Sequence, residues 1–146
     1  MGKVIKIGIS EKKGKKIFDV NETQAVQGKG LINDRHYRID NDKKCQITLI
    51  EIENINYYNK IYGTSIPSID FRRNIITEGI RLNDLVGKEF FVGKIKVKAH
   101  DLCKPCKHLQ GLLEKKNIIK EFLLKGGVRC EIMTSGKIFI GDIIKQ

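Results

Sequence analysis

The segment His100-Asp101-Leu102-Cys103-Lys104-Pro105-Cys106-Lys107-His108 sets two thiols in a Cys-x2-Cys spacing between two imidazoles. A thiol reacts, and binds metals, as the thiolate, and neighbouring positive charge lowers its pKa. Lys104 and Lys107 flank the turn, so Cys106 is the first candidate for a reactive or ligating sulfur, and Pro105 fixes the chain direction just before it. Cys103 reads two ways: as the thiol that resolves an oxidised Cys106, or as an incidental cysteine. His100 and His108 raise a zinc reading. Structural zinc sites draw two separated ligand pairs together, and four ligands in one short turn oppose tetrahedral closure. A zinc set would instead combine Cys103 and Cys106 with a remote ligand such as His36.

Three further groups carry chemistry. Asp34-Arg35-His36 follows the glycine-bearing stretch Gly28-Lys29-Gly30. A guanidinium there suits a phosphate or carboxylate, and an imidazole there suits proton transfer. The plainer reading is a turn held by Asp34, with an internal Asp34–Arg35 pair. Arg73-Asn74 sets a fixed cation beside an amide, which contacts a ligand or caps a bend. Thr77 is a lesser anion-contact candidate. Arg129 follows Gly126-Gly127 and faces either the same pocket or solvent, while Arg72 reads as surface.

These groups need elements to position them. Val4 to Ile9 is rich in β-branched residues and reads as a strand, as do Ile17 to Val20 and Gln46 to Ile50. Gln24 to Gly30 reads as a loop that delivers the polar cluster after it. Ile52, Ile55, Tyr58 and Ile61 have helical spacing, which predicts a helix from Glu51 to Tyr62 stopped by Gly63. Phe71 to Gly79 reads as extended. Glu89 to Val92 and Lys94 to Ala99 read as a hairpin about Gly93. One or two helices are expected between Leu109 and Leu124. Val128 to Met133 and Lys137 to Ile144 then read as closing strands. Many short strands with a few helices indicate a mainly β (α+β) fold, a barrel rather than a doubly wound sheet.

Composition bounds the rest. The 146 residues are 40% hydrophobic, which fits one globular domain over 1–146. No apolar run approaches a membrane span. Met1 to Lys6 shows no signal-peptide core and no myristoylation pattern, so a cytoplasmic location is expected. In that compartment the four cysteines are free or metal-bound, and Cys45 and Cys130, in apolar strand-like segments, read as small core residues. The formal charge of +11 favours anionic partners. The lysines are scattered, aromatic residues are 7% and tryptophan is absent, so base-stacking surfaces are poorly supplied and a basic RNA-binding barrel is the weakest reading.

Read together, several pieces in order carry a resemblance. They are Gly28-Lys29-Gly30-Leu31-Ile32-Asn33-Asp34-Arg35-His36, Gln46 opening a strand, Arg73-Asn74-Ile75-Ile76-Thr77-Glu78-Gly79-Ile80, the glycines Gly87 and Gly93, Cys103-Lys104-Pro105-Cys106, Gly127-Val128-Arg129-Cys130 and Gly141-Asp142. Their order and spacing, from about Val4 to Ile144, resemble the MOSC domain, named for the C-terminal domain of molybdenum cofactor sulfurases. The family usually has glycine where Asn33 stands; asparagine tolerates the left-handed backbone better than most residues.

The resemblance implies a MOSC-type β-barrel, like that of pyruvate kinase, and the pyranopterin molybdenum cofactor as ligand. It implies either sulfur carried to the metal or cofactor-dependent reduction of N-hydroxylated compounds. The family cysteine falls at Cys106, which would carry a persulfide or coordinate molybdenum, with Cys103 and His36 beside it. Asp34, Arg35, Arg73, Asn74, Thr77 and Arg129 would bind the cofactor. No pyridoxal phosphate is expected in this chain itself. A separate cysteine desulfurase would donate sulfur and a molybdoenzyme would accept it. A carrier module without turnover is the alternative, and membranes and nucleic acid are not expected as partners.

Overall fold

The computed structural model describes residues 1–12, 16–103 and 125–146. Cys106, its neighbours Lys104, Pro105, Lys107 and His108, and the helices expected between 109 and 124 lie outside the described residues.

The described elements are β1 (Gly2–Ile9), β2 (Phe18–Val20), β3 (Glu22–Val26), β4 (Gly30–Leu31), β5 (Ile47–Glu51), α1 (Ile52–Tyr62), β6 (Ile75–Glu78), β7 (Glu89–Val92), β8 (Ile95–Leu102), β9 (Val128–Ile132), β10 (Gly136–Phe139) and β11 (Ile143–Lys145). Seven strands close a barrel in the order β11-β7-β8-β9-β5-β6-β1, and the β1–β11 pairing shuts it at Gly2↔Ile144. β2 extends from β1, and β10-β3-β4 form a separate small sheet. The expected mainly β barrel is therefore present.

Alternation decides which side chains fill the barrel. On β9, Val128, Cys130 and Ile132 point inward and are fully buried, while Arg129 and Glu131 face out. β1 breaks strict alternation. A bulge between Val4 and Lys6 adds one residue against β6, which keeps both Val4 and Ile7 in the barrel and turns Lys6 to solvent. The extra residue, Ile5, packs into a second cluster with Ile50, Ile55, Tyr58, Phe71 and Ile76.

That second cluster lies under α1. β5 and β6 pair in parallel, Leu49↔Ile75 and Ile50↔Ile76, and parallel neighbours need a crossover. Leu49 and Ile75 face the barrel, while Ile50 and Ile76 face the helix. Gly63, at φ 62, ends the helix with its N–H on the Asn59 carbonyl. No described helix is long and apolar enough to cross a membrane.

Four local readings differ. Gln24 to Gly30 is not wholly a loop: β3 runs through Val26. Its buried face is carried by Thr23 and Ala25, too small and too polar to show as an apolar stripe. Lys137 to Ile144 splits into β10 and β11 at Gly141-Asp142, where the Asp142 carboxylate accepts the Phe139 N–H. The segment read as extended from Phe71 opens on the last residue of a 3-10 turn, Ser68–Phe71, and on Arg72 at φ 63, before β6. Cys45 sits half-buried in the turn before β5 rather than in a strand, whereas Cys130 is a core residue as expected.

Candidate functional site

The turn after β4 is where the polar cluster forms. Asn33 adopts φ 70, the left-handed conformation expected of it. That bend carries Asp34 beneath the end of β1: Ser10 N–H donates to Asp34 Oδ1 at 3.1 Å, and Arg35 N–H donates to the Ser10 carbonyl at 2.6 Å. Asp34 Oδ2 accepts the His36 N–H at 3.3 Å and lies 3.5 Å from His36 Nδ1. The Asp34 side chain has no exposed surface. Burial pushes its pKa up, but the contacts with His36 and Ser10 and the Arg35 charge outweigh burial and hold it below the ordinary value.

Three guanidiniums converge above this carboxylate. Arg35 Nη2 donates to the Arg72 carbonyl at 3.1 Å. Its Nη1 is buried with no hydrogen-bond partner, the one such side-chain atom among the described residues. Asp34 Oδ1 is 3.9 Å from it, too far for a hydrogen bond. Arg72 Nη2 donates to Ser10 Oγ at 3.3 Å, and Arg73 Nε donates to the Gly126 carbonyl at 3.0 Å. Burial lowers the Arg35 pKa, and the charges of Arg72 and Arg73 add to that against the pull of Asp34. Arginine stays protonated regardless, so positive charge is concentrated here with one nitrogen unsatisfied.

Arg72 is the member that sequence reasoning placed at the surface. It has φ 63, rare for a residue with a side chain, and it ends the 3-10 turn Ser68–Phe71. No pattern in the sequence marks that conformation.

Asn74 lies just beneath the arginines and is fully buried. Its Oδ1 accepts from Thr48 N–H and Thr48 Oγ1, and its Nδ2 donates to the Gly8 carbonyl. It therefore ties β1 to β5 and holds Arg73 in place. Thr77 is fully buried too, its hydroxyl donating to the Ile50 carbonyl. It stands about 10 Å farther along β6 than Asn74 at ~3.3 Å per residue, outside the arginine cluster.

Arg129 faces outward from β9 opposite Asp101 on β8. Nε and Nη2 form a fork with the two carboxylate oxygens at 2.9 and 2.6 Å. The pair raises the Arg129 pKa and lowers that of Asp101, so this cation is largely neutralised. His100 Nε2 lies 2.9 Å from Glu131 Oε1. Among the described residues no three His, Cys, Asp or Glu side chains converge as a metal site.

Cys103, at the end of β8, is buried, and its N–H donates to the Gly127 carbonyl at 2.8 Å. Burial pushes its thiol pKa up, while Arg73 and Arg129 pull it down; the net direction is up. Gly127 makes this junction possible. Its φ is +93, and a Cβ there would lie only 1.8 Å from the Leu49 carbonyl oxygen. The chain thus passes tightly against β5, with Gly126 on Arg73 and Gly127 on Cys103.

A separate cavity of roughly 540 Å³ opens at the far ends of β5 and β6, lined by Glu51, Glu53, Arg81 and Lys125 among others. It contains none of the arginines of the cluster.

Comparison with known proteins gives the same fold. The YuaD protein of Bacillus subtilis superposes with a TM-score of 0.83 at 18% identity, covering 99% of this chain and 94% of that one. YiiM of Geobacillus stearothermophilus gives 0.78 at 17% identity, over 99% of this chain and 74% of that one. YiiM of Escherichia coli gives 0.73 at 17% identity, over 99% and 69%. No curated protein matches the chain in sequence. The sequence profile of the MOSC domain matches residues 34–145, from the buried aspartate to the final strand. This chain belongs to the MOSC domain family, a family associated with the molybdenum cofactor.

Proposed function

We propose that the chain binds the pyranopterin molybdenum cofactor through its phosphate at Arg35, Arg72 and Arg73, and carries sulfur on Cys106. The observation that supports this most is the unsatisfied Arg35 Nη1. It is a buried cationic donor beside two further guanidiniums, with Asp34 the carboxylate buried among them. A buried donor without an acceptor is costly, and a phosphate carrying about −1.5 to −2 charge supplies acceptors and balances the excess cations. The donor set therefore fits the phosphate end of the cofactor.

When bound, the cofactor supplies a redox-active molybdenum centre. The chain's own residues do the rest. Arg35, Arg72 and Arg73 bind and orient the anion, and Asn74 and Gly126 fix Arg73. His36 holds or moves a proton. Cys106 follows Cys103 by three residues in the sequence. Cys103 feels the charge of Arg73, and Gly126 accepts from Arg73 Nε. In sulfur loading the Cys106 thiolate attacks the outer sulfur of a donor's cysteine persulfide. The donor S–S bond breaks as the new one forms, and the donor cysteine leaves as thiolate, with no net oxidation.

Mass spectrometry of one sample tests both parts. Protein purified from a host that makes the cofactor is incubated with a cysteine desulfurase and cysteine. Native spectra are expected to show cofactor-sized mass bound to wild type and to Cys106→Ser. Denaturing spectra are expected to show a sulfur-sized gain in wild type alone. No bound mass contradicts cofactor binding, and an equal sulfur gain in both proteins, or none in either, contradicts the role of Cys106.

A further inference from the structure

His36 is held in a way that an ordinary turn histidine does not need. Its carbonyl accepts Asn41 Nδ2 at 2.5 Å, and Asn41 also ties to the Lys29 carbonyl at 2.7 Å. Its N–H is bound by Asp34 Oδ2. The backbone is thus fixed on both sides, and Asp34 Oδ2 also stands 3.5 Å from Nδ1. That spacing becomes a hydrogen bond with a small turn of the ring. The imidazole is 37% exposed while the Asp34 side chain is wholly buried. Nδ1 is therefore the ring nitrogen on the side of the buried carboxylate.

The chemistry follows from what each group can donate. A carboxylate only accepts, and a neutral imidazole has one donor and one acceptor nitrogen. Asp34 is kept ionised by Ser10, His36 and Arg35. Facing it, Nδ1 must carry the hydrogen, which leaves the lone pair on Nε2. In water the neutral ring favours the opposite tautomer, so the arrangement is imposed by the fold.

We propose that Asp34 is a positioning residue that fixes His36 as its Nδ1–H tautomer, making Nε2 the proton acceptor for a thiol or hydroxyl of the ligand held at the arginine cluster. The proton moves from that S–H or O–H to Nε2. The imidazolium so formed is paired by Asp34, and the ligand anion is stabilised by Arg35 and its neighbours; the reverse transfer returns the proton. The role of this proton rests on the anion-site reading above, but the tautomer does not.

The test is a long-range 1H–15N correlation spectrum of the ligand-free protein, at a pH well above the ordinary imidazole range, with His36→Gln assigning the signals. The expected result is a dominant Nδ1–H tautomer for His36 and an Nε2–H form in Asp34→Asn. A wild-type ring in the Nε2–H form overturns the proposal without any variant having to fold. Arg72→Gln, titrated with inorganic phosphate, separates the two claims. It is expected to keep the tautomer and to lose phosphate affinity at least tenfold. A correct tautomer with no phosphate binding in wild type contradicts the anion site alone, and phosphate binding with the wrong tautomer contradicts the dyad alone.

Discussion

Arg72 shows how a single residue can be held against its own preference. A side-chain-bearing residue at positive φ costs about 1–3 kcal/mol and is found where surrounding structure imposes it. Here its carbonyl receives Arg35 Nη2 and its guanidinium reaches Ser10 Oγ. Glycine accepts the same backbone without strain. Arg72→Gly is therefore expected to leave the melting temperature unchanged or raise it, while weakening phosphate binding at least tenfold. A lower melting temperature with unchanged binding would assign Arg72 a structural role only. Asp34, Arg35 and His36 were legible as a cluster because they are contiguous after a glycine-bearing stretch. Arg72 was not, since its conformation depends on Ser10 and Arg35, far away in sequence. The partner of Arg129 was hidden for a related reason: Asp101 meets it only through the β8–β9 register.

At the scale of elements, the site is a junction of four chain segments: the end of β1, the turn after β4, the residues before β6 and those before β9. Asn74, before β6, joins two of them by bonding Gly8 at the end of β1, and anchors both to Thr48 on β5. Gly127 lets the fourth approach. Gly127→Ala would drive a methyl into the Leu49 carbonyl, and the atoms it meets, of Leu49 and Ile50, are strand backbone with little room to yield. A loss of more than about 3 kcal/mol in denaturant unfolding is expected, near the upper end for point changes. The Gly126 carbonyl would shift off Arg73 at the same time. Wild-type stability in this variant would contradict the close approach. Regular alternation revealed β8, β9 and the β7–β8 hairpin, and helical spacing revealed α1. β3 escaped because threonine and alanine fill its buried positions, and β10 and β11 merged because their corner is one short turn.

For the whole molecule, closure was implied by many short strands, but the strand order was not. The β1–β11 contact joins the two ends of the chain, and nothing local encodes it. The +11 charge was legible too, yet its meaning is positional. Exposed lysines such as Lys3, Lys6 and Lys96 pair with surface carboxylates, whereas Arg35 is half-buried and its Nη1 is buried with its donors unspent. A general basic character would attract any polyanion; a half-buried guanidinium cluster discriminates for a group that fits it. The most direct measurement is a fluorescence titration with a phosphorylated pterin and its dephosphorylated counterpart, on wild type and on Arg35→Gln. Hydrogen bonds to charged groups contribute about 1.5–3 kcal/mol each. The phosphorylated pterin is therefore expected to bind wild type at least tenfold more tightly, and the preference is expected to vanish in Arg35→Gln. Equal affinity for the two pterins in wild type would contradict the arginine cluster as the phosphate site.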